Sequence, residues 1–185
     1  RSNVGTIATD ILLQYNTKSQ HLAYNGSIKS SNIQLNKILS NNQFGIFSFN
    51  FNTKGEKQAN KNFQGTIEAD IPEFQWNGYS YRDMKLKGNY DGSGFDGTFD
   101  VADDNIDAHF TGIVDMTKRL PVFDFSLNLA KANLNALNLT KKYTNANLSF
   151  NAKTNMIGNS LDNLNGFVLF DNIAFTNRNQ TLNAG

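Results

Sequence analysis

Apolar and polar residues alternate one by one along most of this chain, in runs interrupted by Gly, Asn and Asp. The clearest run sets Phe63, Gly65, Ile67, Ala69 and Ile71 against Gln64, Thr66, Glu68 and Asp70. A strand sends those two sets to opposite faces of a sheet, whereas a helix would scatter them around its circumference. The same division recurs at Phe95, Gly97, Phe99 and Val101 against Asp96, Thr98 and Asp100, and at Ile106, Ala108, Phe110, Gly112 and Val114 against Asp107, His109 and Thr111. In the run Phe123, Phe125, Leu127 and Leu129 against Asp124, Ser126 and Asn128, no charge enters the apolar parity.

The period and its punctuation predict strands over 4–14, 21–30, 44–53, 62–71, 79–90, 94–101, 106–116, 121–130, 146–155 and 166–176. Asp91-Gly92-Ser93-Gly94, Asp103-Asp104-Asn105 and Asn77-Gly78 supply turn residues that tolerate positive φ. Loops this short join antiparallel neighbours, so the expected topology is a meander. Three apolar pairs spaced three apart, Leu35 with Ile38, Leu134 with Leu137 and Leu161 with Leu164, break the strand period, and each reads as one helical turn, over Leu35–Leu39, Leu134–Leu139 and Leu161–Leu164. Tyr24 and Ile28 precede Leu35 at the distances at which Phe123 and Leu127 precede Leu134. That is a weak internal repeat, although strand-to-turn transitions look alike in unrelated places. The two prolines, Pro72 and Pro121, fit strand edges or turns. With no Pro/Ser-rich linker and no charge block, residues 1–185 read as one continuous unit.

Composition narrows the function classes. A hydrophobic content of 39% with 18% charged residues describes a folded chain rather than a disordered one. Seventeen basic residues against sixteen acidic ones leave a net charge of +1 and no basic stripe, so a footprint for nucleic acid is missing. The overall charge gives an anionic membrane equally little to attract. Without Cys there is no disulfide framework and no thiolate metal site. No apolar stretch approaches the roughly 20 residues of a membrane-spanning helix. Arg1-Ser2-Asn3-Val4 is no signal peptide and Thr181-Leu182-Asn183-Ala184-Gly185 breaks off in a polar stretch, so the chain reads as an excised piece of a longer protein.

Candidate chemistry is sparse. His21 and His109 lie on strands without a neighbouring nucleophile motif, and two isolated histidines leave zinc without ligands. Asp100, Asp103, Asp104 and Asp107 are the best candidates for Ca²⁺, but they lack the Gly and the terminal Glu of a helix-flanked calcium loop and read as a polar hairpin turn. Asp91-Gly92-Ser93-Gly94-Phe95-Asp96-Gly97 is similar to glycine-rich calcium repeats yet occurs once. Neither a phosphate-binding loop nor a dinucleotide fingerprint nor a nucleophile elbow is present. Trp76, Tyr79 and Tyr81 fall within six positions, as a carbohydrate platform or as aromatics closing the end of a strand pair.

Taken in succession, several segments resemble a stretch of the TamB and AsmA-like proteins. They are Phe63-Gln64-Gly65-Thr66-Ile67, Tyr81-Arg82-Asp83-Met84-Lys85-Leu86-Lys87-Gly88-Asn89-Tyr90 and Phe95-Asp96-Gly97-Thr98-Phe99-Asp100-Val101-Ala102-Asp103. Phe110-Thr111-Gly112-Ile113-Val114-Asp115-Met116 and Phe123-Asp124-Phe125-Ser126-Leu127 continue the series. Asn159-Ser160-Leu161-Asp162-Asn163-Leu164-Asn165-Gly166-Phe167-Val168-Leu169-Phe170 matches the family's habit of joining a short L-x-x-L turn to the next strand. The resemblance runs from about residue 24 to 176 and rests on the order of motifs that are individually common in β-proteins. It implies a periplasmic protein of the bacterial envelope, anchored in the inner membrane by a segment outside this chain. Its body would be a rolled sheet with an apolar concave face. The implied work is transport of phospholipid to the outer membrane, assembly of outer-membrane proteins with a barrel partner, or both. The barrel-meeting segment of the family is not in this chain.

The expected fold is therefore all-β: an elongated antiparallel sheet curved into an open apolar groove, with a few one-turn helices. The alternative is a β-sandwich, serving as an adhesion or carbohydrate-binding module around Trp76, Tyr79 and Tyr81. In the groove reading the candidate lipid-facing residues are Phe47, Phe49, Phe51, Ile67, Ile71, Leu86 and Phe95, continuing through Phe99, Phe110, Phe123, Phe125, Leu127, Leu148 and Phe150. Their partners would be phospholipid acyl chains, with no catalytic residue, cofactor, metal or nucleic acid. A scaffold whose groove is filled by its own side chains is a third reading. Gly65, Ala69, Gly97, Ala108 and Gly112 on the apolar parity point either to spare room or to places where the sheet bends.

Overall fold

Each run of alternation forms a strand, and every strand pairs with the one before it. The structure, a computed structural model, describes residues 4–143, 145–178 and 180–184. The end residues Arg1, Ser2, Asn3 and Gly185, part of the reading of the chain as an excised piece, lie outside the described residues. The strands are β1 (Thr6–Asn16), β2 (His21–Gln34), β3 (Phe44–Lys57), β4 (Phe63–Trp76), β5 (Tyr79–Asp91) and β6 (Gly94–Asp103). β7 (Ile106–Asp115), β8 (Val122–Asn133), β9 (Asn147–Ile157), β10 (Asn165–Asn177) and β11 (Gln180–Ala184) complete one antiparallel sheet in strict sequence order. Among the described residues the sheet does not close, and all regular structure is β apart from α1 (Leu35–Leu39) and a 3₁₀ turn at Leu161–Asn163.

A single sheet overturns the sandwich alternative. No second sheet lies among the described residues, because each short turn returns the chain to the strand it has just left.

Several strands outrun their expected limits, and the reason is local. Ser30 and Ile33 of β2 face Phe49 and Phe47 of β3, so three residues advance on one strand against two on the other. Leu129 and Ala132 of β8 do the same against Phe150 and Leu148 of β9, as do Asp171 and Ala174 of β10 against Asn151 and Ser149. Such bulges bend a strand and interrupt its alternation without ending it. Asn32 (φ 55°) and Asn172 (φ 51°) take left-handed backbone inside two of them, a conformation that asparagine tolerates. The bulges of β2 and β8 fall at equal distances from Leu35 and Leu134, so the weak internal repeat extends to backbone geometry. Pro72 lies inside β4 rather than at its edge, at an irregular stretch of the β3–β4 register where a ladder hydrogen bond is already lost.

The helical turns divide. α1 forms as expected, and Leu161–Asn163 winds as 3₁₀ with the Asn163 side chain accepting from the Ser160 backbone N–H at 3.1 Å. Leu134–Leu139 is not a helix. Its N–H groups reach back by mixed steps, Leu137 to Asn133 at 3.0 Å, Asn138 to Asn135 at 3.0 Å and Leu139 to Leu134 at 2.8 Å, which makes successive turns. β11 escapes sequence reading because Gln180-Thr181-Leu182-Asn183-Ala184 carries too little apolar repeat.

Burial without a second layer locates the curvature. Ile33, Ala69, Met84, Val101, Ala132 and Ala152 are buried on the apolar parity, most of them close to the bulges, while β1 is exposed along its whole length. The sheet bends towards its apolar face along that line. At Gly112 (φ 142°) a Cβ would collide with the Asp124 carbonyl oxygen of the neighbouring strand and lie 2.5 Å from Phe125 Cα. Gly112→Ala is expected to lower stability by about 1–3 kcal/mol. Gly94→Ala, where the nearest atom would be 3.2 Å away, should cost clearly less; chemical unfolding of the two variants measures the difference.

Candidate functional site

Cross-strand register lines the apolar residues up into rows that run across the strands. Ile28 faces Phe51, which faces Ala69, followed in turn by Leu86, Phe99, Phe110, Leu127, Ala152 and Phe170. The row crosses nine strands, β2 to β10, without a polar member. A second row runs Ile71, Met84, Val101, Ala108, Leu129 and Phe150. A third, nearer the opposite strand ends, runs Tyr90, Phe95, Val114, Phe123 and Met156.

All fourteen residues named from the sequence come to this one face. Phe51, Leu86, Phe99, Phe110 and Leu127 lie in the first row, Ile71 and Phe150 in the second, and Phe95 and Phe123 in the third. Ile67 and Phe125 sit between the first and third rows. Phe47 faces Phe74, Phe49 faces Ser30, and Leu148 faces Ala132. Every one of the fourteen is half-buried. Rings meet at centroid distances of 5.7 Å for Phe47–Phe74, 5.1 Å for Phe110–Phe125 and 5.5 Å for Phe150–Phe170.

The adjacent row faces the other way and is polar throughout: Lys29, Asn50, Asp70, Lys85, Asp100, His109, Asn128, Asn151 and Asp171. Its side chains bond along the row. Asn128 donates to Asn151 at 2.6 Å, Asn151 donates to Asp171 at 2.8 Å, and His109 pairs with Asp100. That face also has recesses towards the other strand ends, one lined by Ser27, Asn52, Thr66 and Asn89 and another by Gln64, Asp91, Asp96 and Asp115.

Sequence reading missed residues that complete the apolar face. Phe74 follows the irregularity at Pro72, and Val168 and Phe170 alternate with Phe167 and Leu169, which face the polar side opposite Asn155 and Lys153, so neither segment shows clean alternation. Tyr24 and Tyr90 lie over the facing Gly55–Gly65 pair, where added Cβ atoms would stand 2.5 Å and 2.9 Å from their hydroxyl oxygens. Their hydroxyls bond to each other; Tyr24 also donates to the Gln64 carbonyl at 3.1 Å, and Tyr90 meets Thr53 at 3.0 Å. Phe95 covers Gly88 and Gly97 in the same manner. Gly55, Gly65, Gly88 and Gly97 are thus seats for rings.

At the bulged end, residues 134–143 of the connector close over the strand ends. Asn77 donates to the Asn138 carbonyl at 2.9 Å and Asn138 returns a bond to the Asn77 carbonyl at 3.1 Å. Tyr143 packs edge-on against Phe175 at 5.7 Å, so the connector reaches from the β4–β5 turn to β10. Leu137 within it is 0% exposed. Trp76 faces Tyr79 across the β4–β5 turn, and the Tyr79 and Tyr81 rings meet at 80° with Tyr79 donating to buried Asp103. The trio closes the end of a strand pair.

The acidic cluster disperses. Asp103 accepts from Tyr79 and from the backbone of Arg82 and Asn105, while Asp100 turns to His109 on the polar face. Among the described residues no three metal-ligating side chains gather. His21 meets Glu56 at 2.8 Å, and its hydrogen bond, with those of Gln64 and Gln58, holds the Glu56 carboxyl below its usual range.

Burial, then the bond with Tyr90, pushes the Tyr24 phenol well above its ordinary value; burial also raises Tyr79 and Tyr81. A group whose folded-state pKa is raised stabilises the fold fully below its unfolded value and loses that contribution as pH climbs towards the folded value. Stability is therefore expected to fall above about pH 10, and Tyr24→Phe should flatten that fall. Thermal unfolding between neutral and strongly alkaline pH, with tyrosinate absorbance alongside, measures both.

No family model matches the chain, and comparison with curated proteins and with solved structures gives no match either.

Proposed function

We propose that this chain is a non-enzymatic section of a groove that shields lipid acyl chains, of the TamB and AsmA-like kind, working in the periplasm and joined to the inner membrane through a segment outside this chain. One observation carries the reading: the row from Ile28 to Phe170 is apolar across nine strands, and no second layer among the described residues covers its face. At about 4.8 Å per strand such a row extends on the order of 40 Å, longer than the roughly 30 Å hydrocarbon thickness of a bilayer. Each methylene withdrawn from water onto it contributes about 0.8 kcal/mol. The Tyr24 phenol, its pKa raised by burial, adds no charge to the track, and the rings of Tyr24, Tyr90 and Phe95 sit over glycines.

Parity supplies the test. Photo-crosslinking residues at Phe99, Phe110 and Phe125 are expected to capture phospholipid, while the same probe at Thr98, Thr111 and Ser126 is not, because strand neighbours face opposite sides. Equal capture on both parities, or none on either, leaves a scaffold filled by its own side chains as the better reading.

A further inference from the structure

The near-neutral net charge conceals a segregation that emerges once each residue is assigned to a strand or a turn. Along the turns at the bulged end stand Lys37, Lys141, Lys142 and Arg178 against Asp104. Along the turns at the opposite end stand Lys18, Lys61, Lys118 and Arg119 against Asp162. The strands carry the reverse balance, with acidic side chains such as Asp70, Asp96 and Asp124 on the outer face. All eight rim cations are exposed, and among the described residues only Lys118 pairs with a carboxylate, Asp115 at 3.8 Å. Apolar side chains stand exposed beside them: Ile38, Leu39 and Leu139 on one rim, Met116, Leu120 and Leu164 on the other. Cations interleaved with exposed aliphatic groups are the composition of a surface that meets lipid at the headgroup level.

Resting on the acyl-chain reading above, we infer that both rims select headgroups: the groove takes phospholipids of net negative charge, tails on the apolar face and phosphates at the basic rims. The acidic outer face repels the same headgroups and leaves the mouth as the favoured approach.

The test incubates the purified chain with vesicles of phosphatidylcholine and phosphatidylglycerol of matched acyl chains, followed by native mass spectrometry of the extracted lipid. Phosphatidylglycerol is expected to be enriched by roughly five-fold for each engaged cation, and the enrichment should collapse at about 1 M salt, where the Debye length is near 3 Å. The paired reversals Lys141→Glu/Lys142→Glu and Lys118→Glu/Arg119→Glu should each reduce it, while Lys153→Glu on the outer face should not. Circular dichroism of each variant first establishes that the sheet is retained. Glycerol phosphate in millimolar excess should not compete, since it lacks the tails. Extraction of both lipids in proportion to their abundance overturns the inference and leaves the acyl-chain reading standing. Extraction of neither overturns both, and vesicle adsorption without extraction, or tighter binding to single-stranded DNA than to lipid, overturns the headgroup assignment.

Discussion

In a sheet whose side chains alternate faces, a one-residue slip in any ladder would turn the apolar set of every later strand outward. From β2 to β10 this chain keeps the row from Ile28 to Phe170 on one side of every ladder. It does so even where the strands are irregular. Ser30 and Ile33, three positions apart, still share a face because the bulge absorbs the extra residue. The row from Ile28 to Phe170, the polar row beside it and the curvature towards the apolar side all depend on that maintained register.

Glycine and aromatic residues act on this face as a pair. Tyr24, Tyr90 and Phe95 would stand proud of the surface if the positions beneath them carried side chains; over Gly55, Gly65, Gly88 and Gly97 their rings settle against backbone. The hydroxyls then reach Gln64 and Thr53, so polar atoms on an apolar face are satisfied internally. Glycine here supplies height for a neighbour's ring as well as freedom for its own backbone.

Much of this was legible in the sequence, because strict alternation is a local signal. Phe95 to Val101 and Phe123 to Leu129 announce both their strands and the face they share, and alternation of this kind names fourteen residues that the register places on one face. What stayed hidden depends on pairs distant in sequence. Nothing local to Asn77 indicates that it exchanges hydrogen bonds with Asn138, or that Leu137 becomes fully buried within a connector whose spacing imitates a helix. Bulges erase the period at Ser31-Asn32 and after Leu129, so strand ends were drawn short. Charge was misleading for another reason: summed over the chain it cancels, and only its division between turns and strands has physical content.

Strict sequential order without closure has a consequence for how such a protein can grow. A barrel or sandwich ties its width to its strand number, since closure fixes both at once. Here each added hairpin would lengthen the path by about 10 Å and leave its cross-section, set by strand length and bulge position, as it was. Reach and calibre are therefore separate quantities in this architecture: insertion or loss of a hairpin retunes one, and a shifted bulge retunes the other.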